Sequence, residues 1–252
     1  MTAQAEAAAF CAAEAKRFAY DDYIASLFAR PAARPGLQAL AAFAETTRLA
    51  ALGAREKMAG AIRVAWWREA LRGEREGEAA ANPVACILRG AVRDLPGASV
   101  EIEAMLDARL IELGGEPFGD DLAVAAYADR AEGARLRLIA LMLGAPADAL
   151  AARAVGLARV EVRWLLSGAR AASVEEAVDP NLAAAEAAVR AADGALMGLG
   201  RAGRSAFLAY AATQADFAAF RRSGVAATRL RRLSAVFWMA RFRALGAAAA
   251  QT

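Results

Sequence analysis

About three residues in ten of this 252-residue chain are alanine, while glycine (20) and proline (7) together make up only about a tenth. Alanine is the best helix former and those two are the strongest breakers, so the chain has room for long helices and little reason to form strands. Apolar residues recur at three- and four-residue spacing nearly throughout, and no stretch alternates with a period of two long enough to build a sheet. The reading is all-α, one domain over 1–252 and roughly ten helices. Helices are predicted over 3–18, after Asp21–Asp22, over 36–52, 55–72, from Pro83 to about Asp94, and over 100–113 with Ser99 as cap. Further helices follow over 122–143, 148–167, 181–199, 203–222 and 228–245. Residues 73–82 read as a charged linker, and 114–119 and 168–180 as irregular zones.

Chemistry is bounded by what is missing. No histidine occurs anywhere, which removes Ser-His-Asp and Cys-His catalysis and HExxH zinc sites. Cys11 and Cys86 stand alone without a CxxC pair, so a thiolate zinc site or a disulfide framework has no support and a reducing compartment fits. Chemistry falls to carboxylates, arginine, tyrosine, serine and threonine, with or without a hard cation. No basic, apolar leader opens the chain, and the most apolar run, from Leu138, is too short to span a bilayer. The expectation is a cytoplasmic protein, able to sit peripherally at the inner face of the membrane.

The net charge of +3 is unevenly placed: from Gly200 onward there are nine arginines and one acid, Asp216, which puts +8 there and −5 on the rest. The basic helices over 200–245 carry Arg221, Arg222, Arg229, Arg231, Arg232 and Arg241 beside Phe237 and Trp238. Basic heads beside interfacial aromatics suit an anionic membrane surface or an acidic protein partner. Equally, a terminal helix can pack its apolar side inward and leave its arginines in water. Nucleic acid would call for a broader basic surface.

The least random string is Ala61-Ile62-Arg63-Val64-Ala65-Trp66-Trp67-Arg68-Glu69-Ala70-Leu71. Adjacent tryptophans on a helix point about 100° apart. Either one packs inward and the other lies under a neighbouring helix, or they line an apolar groove with arginine at its mouth. The string resembles the L-Q-W-W-R-D-A-L type segment of the squalene/phytoene synthase family, in its bacterial and mitochondrial branches. In order along the chain, 22–29 (DYIASLFA), 34–43 (RPGLQALAAF), 107–113 (DARLIEL), Gly119-Asp120-Asp121 and 127–133 (YADRAEG) are similar to further segments of that family. The resemblance covers about 18–170.

It implies an all-α isoprenoid-synthase-like bundle around a central apolar cavity. Active members condense two prenyl diphosphates head to head, using Mg2+ held by two aspartate-rich helix segments. Here the first D-x-x-x-D is due near 48 and 52, where Arg48 and Leu52 stand, and 46–54 has no acid. The second is due on 157–167, where Glu161 is flanked by Arg159 and Arg163. A "Y-L-P" run that follows in the family is replaced by 174–181. The expectation is therefore a member without the metal chemistry, with no catalytic or metal residues. It would act as a membrane-peripheral assembly protein, similar to the branch of mitochondrial complex I assembly factors, or bind a lipid or isoprenoid. Tyr23, Arg63, Trp66, Trp67, Arg68 and Tyr127 are then the cavity and ligand candidates. The competing expectation is an active prenyltransferase with relocated acids and Mg2+. For that, Glu103/Asp107, Glu175/Asp179 and Asp120–Asp121 are the available pairs, although each also reads as a solvated face or a helix cap.

Overall fold

The computed structural model describes residues 2–52, 56–115, 118–167 and 180–248, and every regular element among them is a helix. The first three are α1 (Ala3–Phe18), α2 (Tyr20–Ser26) and, after a 3-10 turn at Pro31–Ala33, α3 (Arg34–Leu52). Next come α4 (Lys57–Arg72), α5 (Glu76–Ala81), α6 (Pro83–Val92) and α7 (Ala98–Gly114). A further run holds α8 (Asp121–Ala128), α9 (Ala134–Leu143), α10 (Ala149–Ser167) and α11 (Pro180–Met197). The chain then gives α12 (Arg201–Arg204), α13 (Tyr210–Ser223) and α14 (Arg229–Ala248).

Capping follows local chemistry. Thr2, Asn82, Asp120 and Asp148 each accept a backbone N–H from the first turn of a helix, satisfying donors that helix geometry leaves orphaned. Five expectations change. The short helix placed after Asp21–Asp22 starts at Tyr20 and holds both acids in its first turn, with no side-chain cap, where their charge faces the helix N-terminus. Gly97, at φ 84°, rather than Ser99, precedes α7, because its left-handed backbone makes the corner at little steric cost. The charged linker contains α5, pinned where Arg75 pairs with Glu69 and Glu78. The helix predicted over 203–222 is broken by a 3-10 turn at Ser205–Phe207. Finally, the helix predicted over 122–143 widens into a π turn at Asp129–Gly133 between α8 and α9. Positions 116–117 and 168–179 of the two irregular zones lie outside the described residues, as do Glu175 and Asp179.

Two apolar cores share α9. Phe43, Leu40, Leu88, Leu106 and Trp67 gather α3, α4, α6 and α7 around one, which Leu138 completes. Val155, Val162, Phe207 and Tyr210 build the other, with Leu136 on the opposite side of α9. The buried Tyr210 phenol donates 3.2 Å to Val189 O and lies 3.0 Å from Asp193 Oδ1, so its polar end is satisfied.

Backbone packs closely on backbone where α10 meets the π turn. A Cβ on Gly156 would lie 2.8 Å from Gly133 N and 3.2 Å from Ala128 O. Only hydrogen fits there. This contact sets the residues one and two turns on from Gly156, Arg159 and Arg163, against Glu132.

Candidate functional site

Two spaces of nearly equal size lie side by side in the bundle. One, of about 460 Å³, is apolar: Phe28, Leu37, Leu40, Ile139, Leu143, Ala206 and Leu208 contribute to its wall. The other, of about 450 Å³, is polar and includes Arg17, Arg48, Arg159, Arg163, Arg229 and Arg232 against Asp21, Asp22, Glu45, Glu132 and Asp216. Asp22 lines both. Arg135 lies on its apolar side and Arg159 and Arg163 on its polar side.

Arginine and carboxylate are woven together at this junction. Arg135 Nη2 sits 2.5 Å from Asp22 Oδ1, and Arg159 donates 3.3 Å to Asp22 Oδ2. Glu132 is gripped by three guanidinium groups: Arg163 at 2.7 Å, Arg159 at 3.1 Å and Arg135 at 3.7 Å. Further out, Arg48 pairs with Glu45 at 2.7 Å. Arg232 donates 3.2 Å to Asp21 and lies 3.7 Å from Asp216, whose other oxygen accepts Ala227 N at 2.9 Å.

Burial by itself would push the Asp22 and Glu132 carboxyls up. The adjoining guanidiniums, Arg135 and Arg159 for both and Arg163 for Glu132, outweigh it and hold both below the usual carboxylate range. Arg135, buried, is correspondingly held charged by Asp22 and Glu132 against the pull of burial. Asp21 and Asp216 go the other way. Desolvation dominates over the attraction of Arg232, and their carboxyls are raised.

Arg159 and Arg163 are spaced i, i+4, the spacing that puts two side chains on one helix face. Arginine thus occupies the arrangement that a D-x-x-x-D pair would use, and Arg48 lines the same pocket from α3. Glu161, between them, is buried.

The six cavity candidates line neither space. Trp67 is core, edge-on to Phe43 at 5.1 Å between ring centres, and Trp66 lies against it while its Nε1 donates 2.7 Å to Glu78. Arg68 bridges Glu103 (2.6 Å) and Asp107 (2.7 Å), and Arg63 is exposed. Tyr127 stacks on Trp164, lies tilted against Phe118 and donates to Glu112, with its hydroxyl pKa pushed up by burial and that carboxylate. Tyr23 packs between α1, α3 and the C-terminal helices, one residue from Asp22. The reason is geometric: Trp66, Trp67 and Tyr127 are each taken up by another ring, and the cavity is walled by Phe28, Leu37, Leu40, Ile139 and Leu143 with small residues of α2 and of 202–209. Of the basic tail, Arg229 and Arg232 turn into the polar pocket, Arg221 lies 3.6 Å from Glu186, and Arg222, Arg231 and Arg241 are exposed.

Of the acidic pairs, Glu103 and Asp107 are taken up by Arg68, and Asp120 caps α8. Among the described residues no three acidic or thiol side chains converge as a metal site would require.

The squalene/phytoene synthase family model matches residues 15–160, more than half of the chain. Among solved structures, the chain is similar to a dehydrosqualene synthase crystallised in complex with ligand. The TM-score is 0.73 at 14% identity, over 95% of this chain and 97% of that one. A search of curated proteins returns no significant match. The chain belongs to the squalene/phytoene synthase family. Its fold is the all-α isoprenoid-synthase fold.

Proposed function

We propose that this member binds an anionic amphiphile, an isoprenoid or lipid, and does not carry out Mg2+-assisted diphosphate chemistry. The observation that carries the reading is the pairing of every carboxylate in the polar pocket with arginine or, for Asp216, with arginine and a backbone N–H. Mg2+ demands several free oxygen ligands in near-octahedral array. At this site it would have to displace Arg135, Arg159 and Arg163 from Asp22 and Glu132 and then sit among their charges. The donor set does not fit that ion.

Guanidinium suits an anion instead, since its planar donors match phosphate and carboxylate oxygens two at a time. Among the described residues Arg17 and Arg229 have no ion pair and stack on Phe18 and Tyr20, leaving cationic edges at the pocket. The neighbouring apolar space lies within the range of ordinary ligand cavities, about 300–1,000 Å³. A head group on arginine and a hydrocarbon tail along Leu37, Leu40 and Ile139 would use both spaces at once. Such a protein would serve as a lipid- or isoprenoid-associated assembly component at a membrane surface, without turnover.

Diphosphate release from farnesyl and geranylgeranyl diphosphate, with Mg2+ and a radiolabel check for condensed product, tests this directly. The expected result is release no greater than the blank. Release with condensed product would restore the prenyltransferase reading and require carboxylates to leave their arginines.

A further inference from the structure

We propose that the outward face of α14 docks on the surface of an anionic lipid bilayer, beside the mouth of the apolar cavity. Val236 and Ala240 turn α14 into the bundle. Leu230, Ser234, Phe237, Trp238 and Arg241 recur at three- and four-residue spacing on its other side, with Arg231 at the margin. Leu230 is 74% exposed, Trp238 53% and Phe237 49%. Apolar rings of that size left in water beside arginine are what an interfacial helix presents: the rings enter the headgroup boundary and the guanidiniums stay among lipid phosphates.

The charge of this region points to an anionic surface. Asp216 is the one acid after Gly200, and it is buried, accepting Ala227 N and facing Arg232. No carboxylate from this part of the chain is therefore left to face outward against Arg222, Arg231 and Arg241. A second geometric link selects lipid over an acidic protein. Phe237 meets Phe28 edge-on at 6.4 Å between ring centres, and Phe28 is part of the cavity wall. That wall reaches the surface at Arg30 and Ala202, both exposed, and Ala202 belongs to α12, which packs on α14. The apolar face and the apolar cavity adjoin, so a tail could pass from bilayer to cavity without crossing open water. This last step rests on the amphiphile reading; the docking face does not.

The test is sedimentation of the full chain with vesicles of phosphatidylcholine alone and of phosphatidylcholine with phosphatidylglycerol, across a salt series. Binding is expected only with phosphatidylglycerol and should weaken with salt. Arg231→Gln with Arg241→Gln should lower partitioning about 25-fold, at about five-fold per charge near an anionic surface. Brominated lipid should quench fluorescence in the parent chain and lose most of that quenching in Trp238→Phe. Equal binding to both vesicles, binding indifferent to the double variant, or self-association that shields Trp238 with no vesicle binding would each overturn the proposal. Titration of farnesyl diphosphate without vesicles separates the two claims. Its success alongside vesicle failure removes only the docking face, and the reverse removes only the amphiphile reading.

Discussion

Arginine meets carboxylate in two networks of similar chemistry and opposite setting. On the flank of α4 and α7, Arg68 and Arg72 hold Glu103 and Asp107 within 2.8 Å in a solvent-facing lattice. Between α2, the π turn and α10, Arg135, Arg159 and Arg163 hold Asp22 and Glu132 out of water, with Arg135 only 2% exposed. An exposed pair costs little to form and is worth little, about 0–1 kcal/mol. A buried cluster first loses several kcal/mol of hydration per ion, and attraction repays this only when partners are well placed. Where apolar packing would have been simpler, this fold keeps five charges at the meeting point of two cavities. The α4 network lies toward solvent; the pocket network is the one that the proposed anion binding would draw on.

The comparison breaks most sharply at Glu132. Glu132→Ala strips Arg163 of its buried carboxylate and leaves Arg135 and Arg159 to share Asp22 alone, and should cost about 3–5 kcal/mol in urea unfolding. Gly156→Ala comes next. Its Cβ would meet Gly133 N at 2.8 Å, so α10 must shift, at about 1–3 kcal/mol. Because Arg159 and Arg163 ride on that helix, farnesyl diphosphate affinity should fall with it in a titration.

Acid sharpens the same contrast. Asp22 and Glu132 titrate below their unfolded values. Their contribution is present above the unfolded carboxylate range, about pH 4, and is lost as pH falls through the folded values. Asp21 and Asp216 are raised and act oppositely: their contribution is full below the unfolded range and fades as pH rises through the folded values. Unfolding midpoints measured from neutral to acid pH should therefore fall steeply, and Glu132→Gln should flatten that fall. The smallest effect belongs to the exposed lattice. Arg68→Ala should cost less than about 1 kcal/mol and leave ligand titrations unchanged.

The fold was readable because helices are local. Alanine periodicity and the breakers between runs mark 3–18 to the residue, and α3, α4 and α10 to within two positions. Arg48, Arg159 and Arg163, standing where a family resemblance calls for acids, were visible too, and they lie in the polar pocket. Their partners were not. Arg159 reaches Asp22 across 137 positions and Arg232 reaches Asp21 across 211, and no periodicity encodes such a meeting. Glu132 is one letter of the family-like segment 127–133 and Arg135 lies just beyond it in a run that reads as helix, and the π turn that carries Glu132 packs where Gly133 meets Gly156. Trp66 and Trp67 stand out by rarity, yet large rings more often fill cores than line cavities, and the wall of the cavity draws instead on plain apolar and small residues of the segments 22–29 and 34–43 and of 202–209.

Calorimetric titration of farnesyl diphosphate, once in excess EDTA and once in Mg2+, tests the central claim most directly. An arginine-held head group predicts the same affinity in both, lost when Arg159 and Arg163 are replaced by glutamine. Binding that appears only with Mg2+ would contradict the account and return the pocket to metal chemistry.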